Sequence, residues 1–207
     1  MKISYAITVC DEFIEIQRLI NFLLKNKRPE DGIVVLYDMN KGHKGIEQFL
    51  RAKSVNKGLA WMYGSFNGHF ADWKNKLSSF CTGDYIFQID ADELPPKYLV
   101  ENLGTILEMN KTVDVYRVPR INTVDGLTQE HIQKWRWRVN EKGWVNFPDF
   151  QFRIYKNSSD INWKNKVHEV LEGFTTISEL PLEKPWCLIH EKTIERQEKQ
   201  NQYYQTL

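Results

Sequence analysis

The first half of the chain alternates short apolar segments with segments of helical periodicity, and this order constrains the fold more than any other feature. Apolar, β-branched runs predict strands at 3–9, 33–37, 59–63 and 84–89. The segments between them repeat apolar residues three or four positions apart, as at Ile16, Leu19 and Leu23. A β-α-β-α-β-α-β order implies a parallel sheet that is covered by helices on both faces.

The pattern changes after Val113. Strands are predicted at 113–120, 145–155 and 163–171 without comparable helices between them, and a polar segment at 191–204 predicts a final helix. Because no Pro/Gly/Ser-rich stretch is long enough to be a linker, we expect one domain over 1–207. Its α/β half would be 1–112 and its β-rich half 113–207, and both halves would share one sheet.

Charge and cysteine usage exclude several classes of function. The 28 Lys and Arg residues balance 27 Asp and Glu residues, and a net charge of +1 favours neither nucleic acid nor anionic membranes as partners. No run of about eighteen apolar residues predicts a membrane span. Three cysteines that are far apart and form no CxxC pair favour reduced thiols, no zinc site and a cytoplasmic location.

The segment YIFQIDADE at 85–93 is the most informative in the chain. In extended backbone Asp90 and Asp92 would project to one side and Ala91 to the other, at the carboxyl edge of a buried parallel strand. That edge is where open α/β sheets bind ligands. Two adjacent carboxylates repel unless a cation lies between them, which favours Mg²⁺ or Mn²⁺ with phosphate oxygens as further ligands. The alternative, capping of the helix that begins near Pro95, would explain one acid and not the pair.

Phosphate-binding glycine loops are missing from the sequence. Neither GxGxxG nor GxxxxGK[ST] occurs, and the GHKG segment at 42–45 is too short for either motif. A metal ion would therefore have to neutralise a bound diphosphate, which strengthens the metal interpretation of Asp90 and Asp92.

Several short motifs follow one another in a fixed order over most of the chain. They are Cys10-Asp11-Glu12, Asp38, Asp72-Trp73-Lys74-Asn75, Gly83-Asp84-Tyr85-Ile86, Asp90-Ala91-Asp92-Glu93, the segment DFQFRIY at 149–155, Val167-His168-Glu169 and Leu188-Ile189-His190. In this ordered set the chain resembles the family 2 glycosyltransferases of GT-A fold, particularly the short bacterial and viral type related to lipopolysaccharide-core glucosyltransferases. It departs from that family in having Cys10-Asp11 where Asn is usual and Lys74 where Arg is usual.

The resemblance implies a GT-A-type, Rossmann-like, mostly parallel central sheet with a nucleotide-binding half and a β-rich acceptor-side half. It also implies transfer, with inversion, of a sugar from a UDP-sugar, with a glucose-like donor favoured. The cofactor would be Mn²⁺ or Mg²⁺, and the acceptor a glycan, a lipid-linked molecule or a protein. We expect no nucleic acid partner, and the resemblance leaves a homodimer open.

Residues of the first half receive donor-binding roles by the same resemblance. Asp38 would hold the uracil or the ribose, and Asp90 the ribose or the metal. Asp92 would be the principal metal ligand, with Ala91 beside it in the nucleotide-sugar site. Lys74 would contact the diphosphate, although an exposed helical lysine explains it equally well.

We expect the general base of an inverting displacement in the second half of the chain. Asp149 is preferred by position, because it follows an aromatic segment suited to a sugar ring, although an Asp after Pro148 also suits a turn. Glu169 is the second candidate and could instead pair with Arg153 or Lys166. Asp125 is a weaker one.

Two late histidines and an arginine complete the expected site. By the resemblance His190 is a metal ligand, while His168 and Arg153 would contact the acceptor or the diphosphate. A histidine in a strand is otherwise more often a hydrogen-bonded structural residue.

The basic and aromatic side chains that alternate at 134–138 have their own interpretation. They predict a strand with Trp135 and Trp137 packed on one face, or a wall of the acceptor site, in preference to a nucleic-acid surface.

Other functions of α/β proteins that carry a DxD motif fit this sequence less well. A sugar-nucleotide pyrophosphorylase would need a glycine-rich basic loop after the first strand, which 9–13 does not offer. A haloacid-dehalogenase-type phosphatase carries its DxD on the first strand, whereas here it follows the fourth. A nucleotide-sugar-binding module without catalysis is a further alternative, against which the intact acids argue.

Overall fold

The structure, a computed structural model, describes residues 1–55 and 58–204. Its helices are α1 (Phe13–Asn26), α2 (Lys44–Lys53), α3 (Phe70–Ser78), α4 (Lys97–Met109), α5 (Gln129–Trp135) and α6 (Ile194–Tyr204). Its strands are β1 (Ile3–Val9), β2 (Gly32–Asp38), β3 (Leu59–Gly64), β4 (Tyr85–Asp90), β5 (Glu93–Leu94), β6 (Val115–Asp125), β7 (Val145–Lys156), β8 (Asn162–Lys164), β9 (Val170–Glu172), β10 (Ile177–Glu179) and β11 (Leu188–Thr193).

One sheet takes strands from both predicted halves of the chain. Its order is β3-β2-β1-β4-β7-β6-β11-β5, with β10 paired to β6, and β8 and β9 form a separate two-stranded sheet. Strands β1 to β4 pair in parallel, β7 lies antiparallel between β4 and β6, and β11 is parallel to β6. The carboxyl ends of β1, β2, β4, β6 and β11 and the amino end of β7 therefore meet at one edge of the sheet, called here the donor edge.

Two apolar layers fix this arrangement, one on each face of the sheet. On one face α1, α2 and α4 bury residues such as Leu19, Leu50 and Leu103 against alternate residues of β1 and β4. On the other face α3 packs Trp73 and Leu77 against the remaining alternate positions and against β8. The predicted α/β class, with a mostly parallel central sheet and helices on both faces, is confirmed.

Two predictions for the second half were wrong. The segment at 134–138 is not a strand, because Thr128 caps α5 by accepting from the backbone N–H of His131 and Arg136 ends the helix in left-handed backbone. Residues 163–171 do not form one strand but contain the end of β8, a turn and the start of β9, which pair with each other. In both places local capping and turn residues outweigh the alternation of apolar side chains.

The predicted final helix begins later than expected, since 188–193 form β11 before α6 starts at Ile194. Among the described residues, helices are all too short or too polar to cross a bilayer.

Candidate active site

The acidic pair lies at the donor edge, but its two carboxylates contact different partners. Strand β4 ends at Asp90, and Asp92 lies in the turn that follows, so the expectation drawn from extended backbone does not hold. Oδ2 of Asp90 accepts a 2.6 Å hydrogen bond from Arg153, whereas Oδ2 of Asp92 lies 3.3 Å from Nε2 of His190. The two carboxylates thus face different partners, and the structure does not show them converging on one position between them.

A buried ion network holds the end of β4 in place. Glu93 is 1% exposed and accepts from Arg120 at 2.8 Å and from Arg153 at 2.6 Å, while its other oxygen accepts from the backbone N–H of Asp90. Burial by itself raises the pKa of Asp90, but the charges of Arg153 and Lys74 outweigh it, and the pKa falls below its usual range. Asp90 is therefore ionised at neutral pH.

Arg153 does not lie where a substrate contact was expected. Its side chain is 3% exposed, and it bridges Asp90 and Glu93 from within the sheet. If Arg153 turned outward, Asp90 would lose its ion-pair partner and Glu93 would lose one of its two, so the structure corrects the role of Arg153 from substrate contact to internal counter-ion.

Asn122 of β6 connects the two sides of the donor edge. Its Nδ2 donates to Oδ2 of Asp149 at 2.8 Å, so its Oδ1 is the atom that accepts from Nδ1 of His190 at 2.7 Å. Nδ1 of His190 thus carries a proton, and in the neutral ring Nε2 presents a lone pair toward Asp92. A proton or a metal cation between Nε2 and the Asp92 carboxylate stabilises that arrangement.

Asp149, the preferred base, lies at the other end of this chain of hydrogen bonds. Its carboxylate accepts from Arg120 at 2.9 Å and from Gln151 at 2.6 Å in addition to Asn122. Burial opposes ionisation, but Arg120 and Asn122 outweigh it and lower the pKa of Asp149. The side chain keeps 24% of its surface exposed, so a substrate hydroxyl can approach an ionised carboxylate.

Asp38 ends β2 at the same edge and is 4% exposed. Its Oδ1 accepts from the backbone N–H groups of Asn40 and Phe66 at 3.1 and 3.2 Å, and the thiol of Cys10 lies 3.7 Å from Oδ2. The loops that follow β1, β2 and β3 are therefore held together around this carboxylate.

Lys74 and Glu169 form a mutual pair, since Nζ of Lys74 lies 2.6 Å from Oε1 of Glu169 and 4.5 Å from the ring centroid of Trp163. Both side chains are largely buried, which leaves Lys74 little surface for a diphosphate. The neighbouring Asn75 donates to the carbonyl of Trp163 and accepts from its backbone N–H, at 2.9 and 2.8 Å. The Lys-Asn motif thus joins α3 to β8.

Two further predicted residues flank these groups. Ala91 is 4% exposed and belongs to the core layer beside β1, so its side chain is packed rather than presented to a ligand. His168 lies in the turn between β8 and β9 with a backbone φ of 54°.

Two side chains at the donor edge could together bind a divalent cation. The described part of the chain holds no group of three or more His, Cys, Asp or Glu side chains arranged for a metal. Oδ2 of Asp92 and Nε2 of His190, 3.3 Å apart, nevertheless suit two neighbouring ligands of one ion with bonds of roughly 2.1 Å. Mg²⁺ and Mn²⁺ commonly complete their shell with water and phosphate oxygens, so two protein ligands fit such an ion.

Three residues of the site were not singled out from the sequence: Glu93 as a buried acid, Arg120 and Asn122. Their partners lie far away in the chain, for example 27 residues from Arg120 to Glu93 and 68 residues from Asn122 to His190. The only sequence signal for one of them was the position of Glu93 directly after the acidic pair.

Sequence comparison finds no matching family model and no matching curated protein. Structural comparison finds many similar chains. S. aureus TarS 1-349 in complex with UDP-GlcNAc aligns with 93% of this chain and 59% of its own length, at 16% identity and a TM-score of 0.66. TarS 1-349 without that ligand aligns with 92% of this chain at a TM-score of 0.65.

A second protein gives a partial match. The mannosyltransferase PcManGT from Pyrobaculum calidifontis, in complex with GDP-Man and Mn²⁺, aligns with 57% of this chain and 35% of its own at 18% identity and a TM-score of 0.50. This chain spans about 60% of the TarS segment that it matches. The comparisons confirm the predicted architecture: the chain has the fold of the GT-A-type glycosyltransferases.

Proposed function

We propose that the chain is a glycosyltransferase that uses a nucleoside-diphosphate sugar, with a UDP-sugar as the favoured donor and a divalent cation as cofactor. One observation carries the proposal. Hydrogen bonds connect an accessible, ionised Asp149 through Asn122 to His190, whose second nitrogen faces Asp92 at the donor edge of a GT-A-type sheet. A base and a cation-binding pair are thereby held on the two sides of one ligand site.

Donor binding is assigned to residues at the ends of β2 and β4. Asp38 would contact the base or the ribose, and Asp92 and His190 would hold the cation. When bound there, the cation would stabilise the negative charge that develops on the departing nucleoside diphosphate. The proposal is supported by similar structures that contain UDP, UDP-GlcNAc, or GDP-Man with Mn²⁺.

Asp149 is proposed as the base in preference to Glu169. It would accept the proton of an acceptor hydroxyl, which then attacks the sugar from the face opposite the diphosphate and inverts the anomeric centre. After this transfer Arg120 still has Glu93 as a counter-ion, whereas protonation of Glu169 would remove the carboxylate that pairs with the buried Lys74. The acceptor is a hydroxyl of a glycan, a lipid-linked molecule or a protein.

Thermal unfolding with nucleotides tests the donor site. At about one hundred times the Kd a ligand stabilises the folded state by about 2.7 kcal/mol, which raises the Tm of a protein of this size by roughly 5–10 °C. We expect such a shift for the wild type with UDP or GDP plus MnCl₂ and a much smaller one without the metal.

Asp92→Asn should lose the metal-dependent part of the shift. Asp160→Asn is the matched control, because Asp160 is exposed and lies beyond the opposite edge of the sheet. The proposal fails if neither nucleotide shifts the wild type in the presence of MnCl₂, or if Asp92→Asn responds as Asp160→Asn does.

A further inference from the structure

Helix α6 lies across the donor edge and contacts several of its loops. Lys199 reaches Asp11 after β1 at 4.0 Å, and Glu198 reaches His131 of α5 at 3.7 Å. Tyr203 packs under Lys41 in the loop after β2. These contacts place α6 over the region that the donor would occupy.

Arg196 is the charge on α6 that points into this region. Its guanidinium lies 2.9 Å from Glu15, 3.2 Å from Glu12 and 3.7 Å from Asp92. Three carboxylates from α1, the loop before it and the turn after β4 thus converge on one side chain, which is 32% exposed. The cavity beside Asp92 and Glu15 measures about 30 Å³, which is room for a water molecule or an ion and not for a nucleotide.

We propose that Arg196 exchanges partners during donor binding: it holds α6 on Glu12, Glu15 and Asp92 in the free protein and binds the donor's diphosphate once a divalent cation occupies Asp92 and His190. The inference rests on the proposed function and adds to it a diphosphate-binding residue and a helix that must move. Arg196 would also supply the cationic contact with the diphosphate that Lys74, paired with Glu169, does not offer.

The exchange follows from one shared atom. Oδ2 of Asp92 contacts both Nη2 of Arg196 and Nε2 of His190. A divalent cation on that oxygen would neutralise the acid and place like charges next to the guanidinium, so Arg196 loses its hold on Asp92. A diphosphate brings several negative charges to the same place, and the planar fork of Arg suits two phosphate oxygens.

Thermodynamic linkage makes the idea measurable without an acceptor. If a cation loosens Arg196, then removing Arg196 must strengthen cation binding by the same factor. If the diphosphate re-engages Arg196, its removal must weaken nucleotide binding. With a purely structural salt bridge between α6 and α1, removing Arg196 would not weaken nucleotide binding, and a cation would not change hydrogen exchange in α6.

The experiment combines hydrogen exchange of 194–204 with calorimetric titration of MnCl₂, and of UDP and GDP in the presence of MnCl₂. In the wild type we expect MnCl₂ alone to speed exchange in α6 and the nucleotide with MnCl₂ to slow it below the level of the free protein. Arg196→Gln should bind Mn²⁺ several-fold more tightly, and the nucleotide about tenfold or more weakly. Lys199→Gln, which removes a positive charge from the same helix, should change both affinities by less than about twofold.

Glu15→Gln separates the two roles of Arg196 and guards against a variant that merely unfolds α6. It weakens the contact between Arg196 and α1 while leaving Arg196 intact, so exchange in α6 should rise in the free protein while nucleotide affinity is kept or raised. The inference is overturned if Arg196→Gln binds the nucleotide as tightly as Lys199→Gln, or if MnCl₂ leaves exchange in α6 unchanged. If the wild type binds neither UDP nor GDP with MnCl₂, both the inference and the proposed function fail; if it binds and Arg196→Gln binds equally, only the inference fails.

Discussion

The strongest prediction for stability concerns Arg153, which bridges two acids inside the sheet. Arg153→Met removes the only charge in contact with both Asp90 and Glu93 among the residues described, while its side-chain volume is nearly kept. Breaking a buried pair from one side costs about 3–5 kcal/mol. Since Glu93 keeps Arg120 and Asp90 retains some contact with water, we expect about 3 kcal/mol.

This loss is large against the usual total stability of about 5–15 kcal/mol and corresponds to a fall in Tm of roughly 6–12 °C. Urea unfolding followed by tryptophan fluorescence measures it, and the seven tryptophans give ample signal. Arg51→Met is the matched control, because Arg51 pairs with Glu47 and lies over the ring of Trp61 at the surface, and its loss should cost below about 1 kcal/mol.

Adding Glu93→Gln to Arg153→Met should restore part of the loss, because it removes a buried charge that has lost one partner. The reasoning would be refuted by a loss below about 1 kcal/mol, or by a double variant that is less stable than the single one.

The pH dependence of the same variant has a definite sign. In the wild type the pKa of Asp90 is lowered, so its stabilising contribution is present above the pKa of the unfolded chain, about 3.9, and is lost as pH falls through the lower folded value. Without Arg153, burial would raise the pKa of Asp90 instead. The stability difference between wild type and Arg153→Met should therefore shrink as pH is lowered from neutral toward the unfolded-chain pKa of about 3.9, and a constant difference would contradict this explanation.

Two further predictions concern asparagine side chains, with the exposed Asn102→Leu of α4 as a common control. Asn122→Leu removes the hydrogen bonds to His190 and Asp149, so Mn²⁺ affinity measured by calorimetry should fall about 10- to 100-fold. An unchanged affinity would show that Asn122 does not orient His190 for the cation. Asn75→Leu leaves the backbone N–H and carbonyl of Trp163 without these hydrogen bonds, and should lower the free energy of unfolding in urea by about 2–4 kcal/mol. A loss equal to that of the control would show that the two hydrogen bonds do not stabilise the fold.

The helices and strands of the first half could be predicted because their signal is local. Strand β4 was expected at 84–89 and runs from Tyr85 to Asp90, and α4 begins directly after the predicted Pro95-Pro96 and ends at Met109. These segments are buried on defined faces, and burial imposes a period on the sequence that can be read directly. In the second half β8, β9 and β10 are only three residues long, and α5 contains no buried residue, so burial imposes no clear period on these segments.

The sequence predicted which residues form the candidate site, but not which of their side chains are hydrogen-bonded to each other. The sequence identified Asp92, His190 and Asp149 as groups of the donor edge, and the structure connects all three. It did not reveal that Asn122 joins them. That link depends on the register of β6 against β7 and β11, in which Asn122 lies opposite Val145 and His190.

The order of elements, the acidic end of β4 and the residue types at the proposed metal- and phosphate-binding edge were determined by the sequence alone, because each depends on neighbours a few positions apart. Only the tertiary structure decided which charges compensate one another. It assigned Arg153 to Asp90 and Glu93, Glu169 to Lys74, and Arg196 to the carboxylates that face the donor site. Such pairings depend on contacts between residues distant in the chain, where any base can meet any acid until the strand order and register bring two of them within hydrogen-bonding distance.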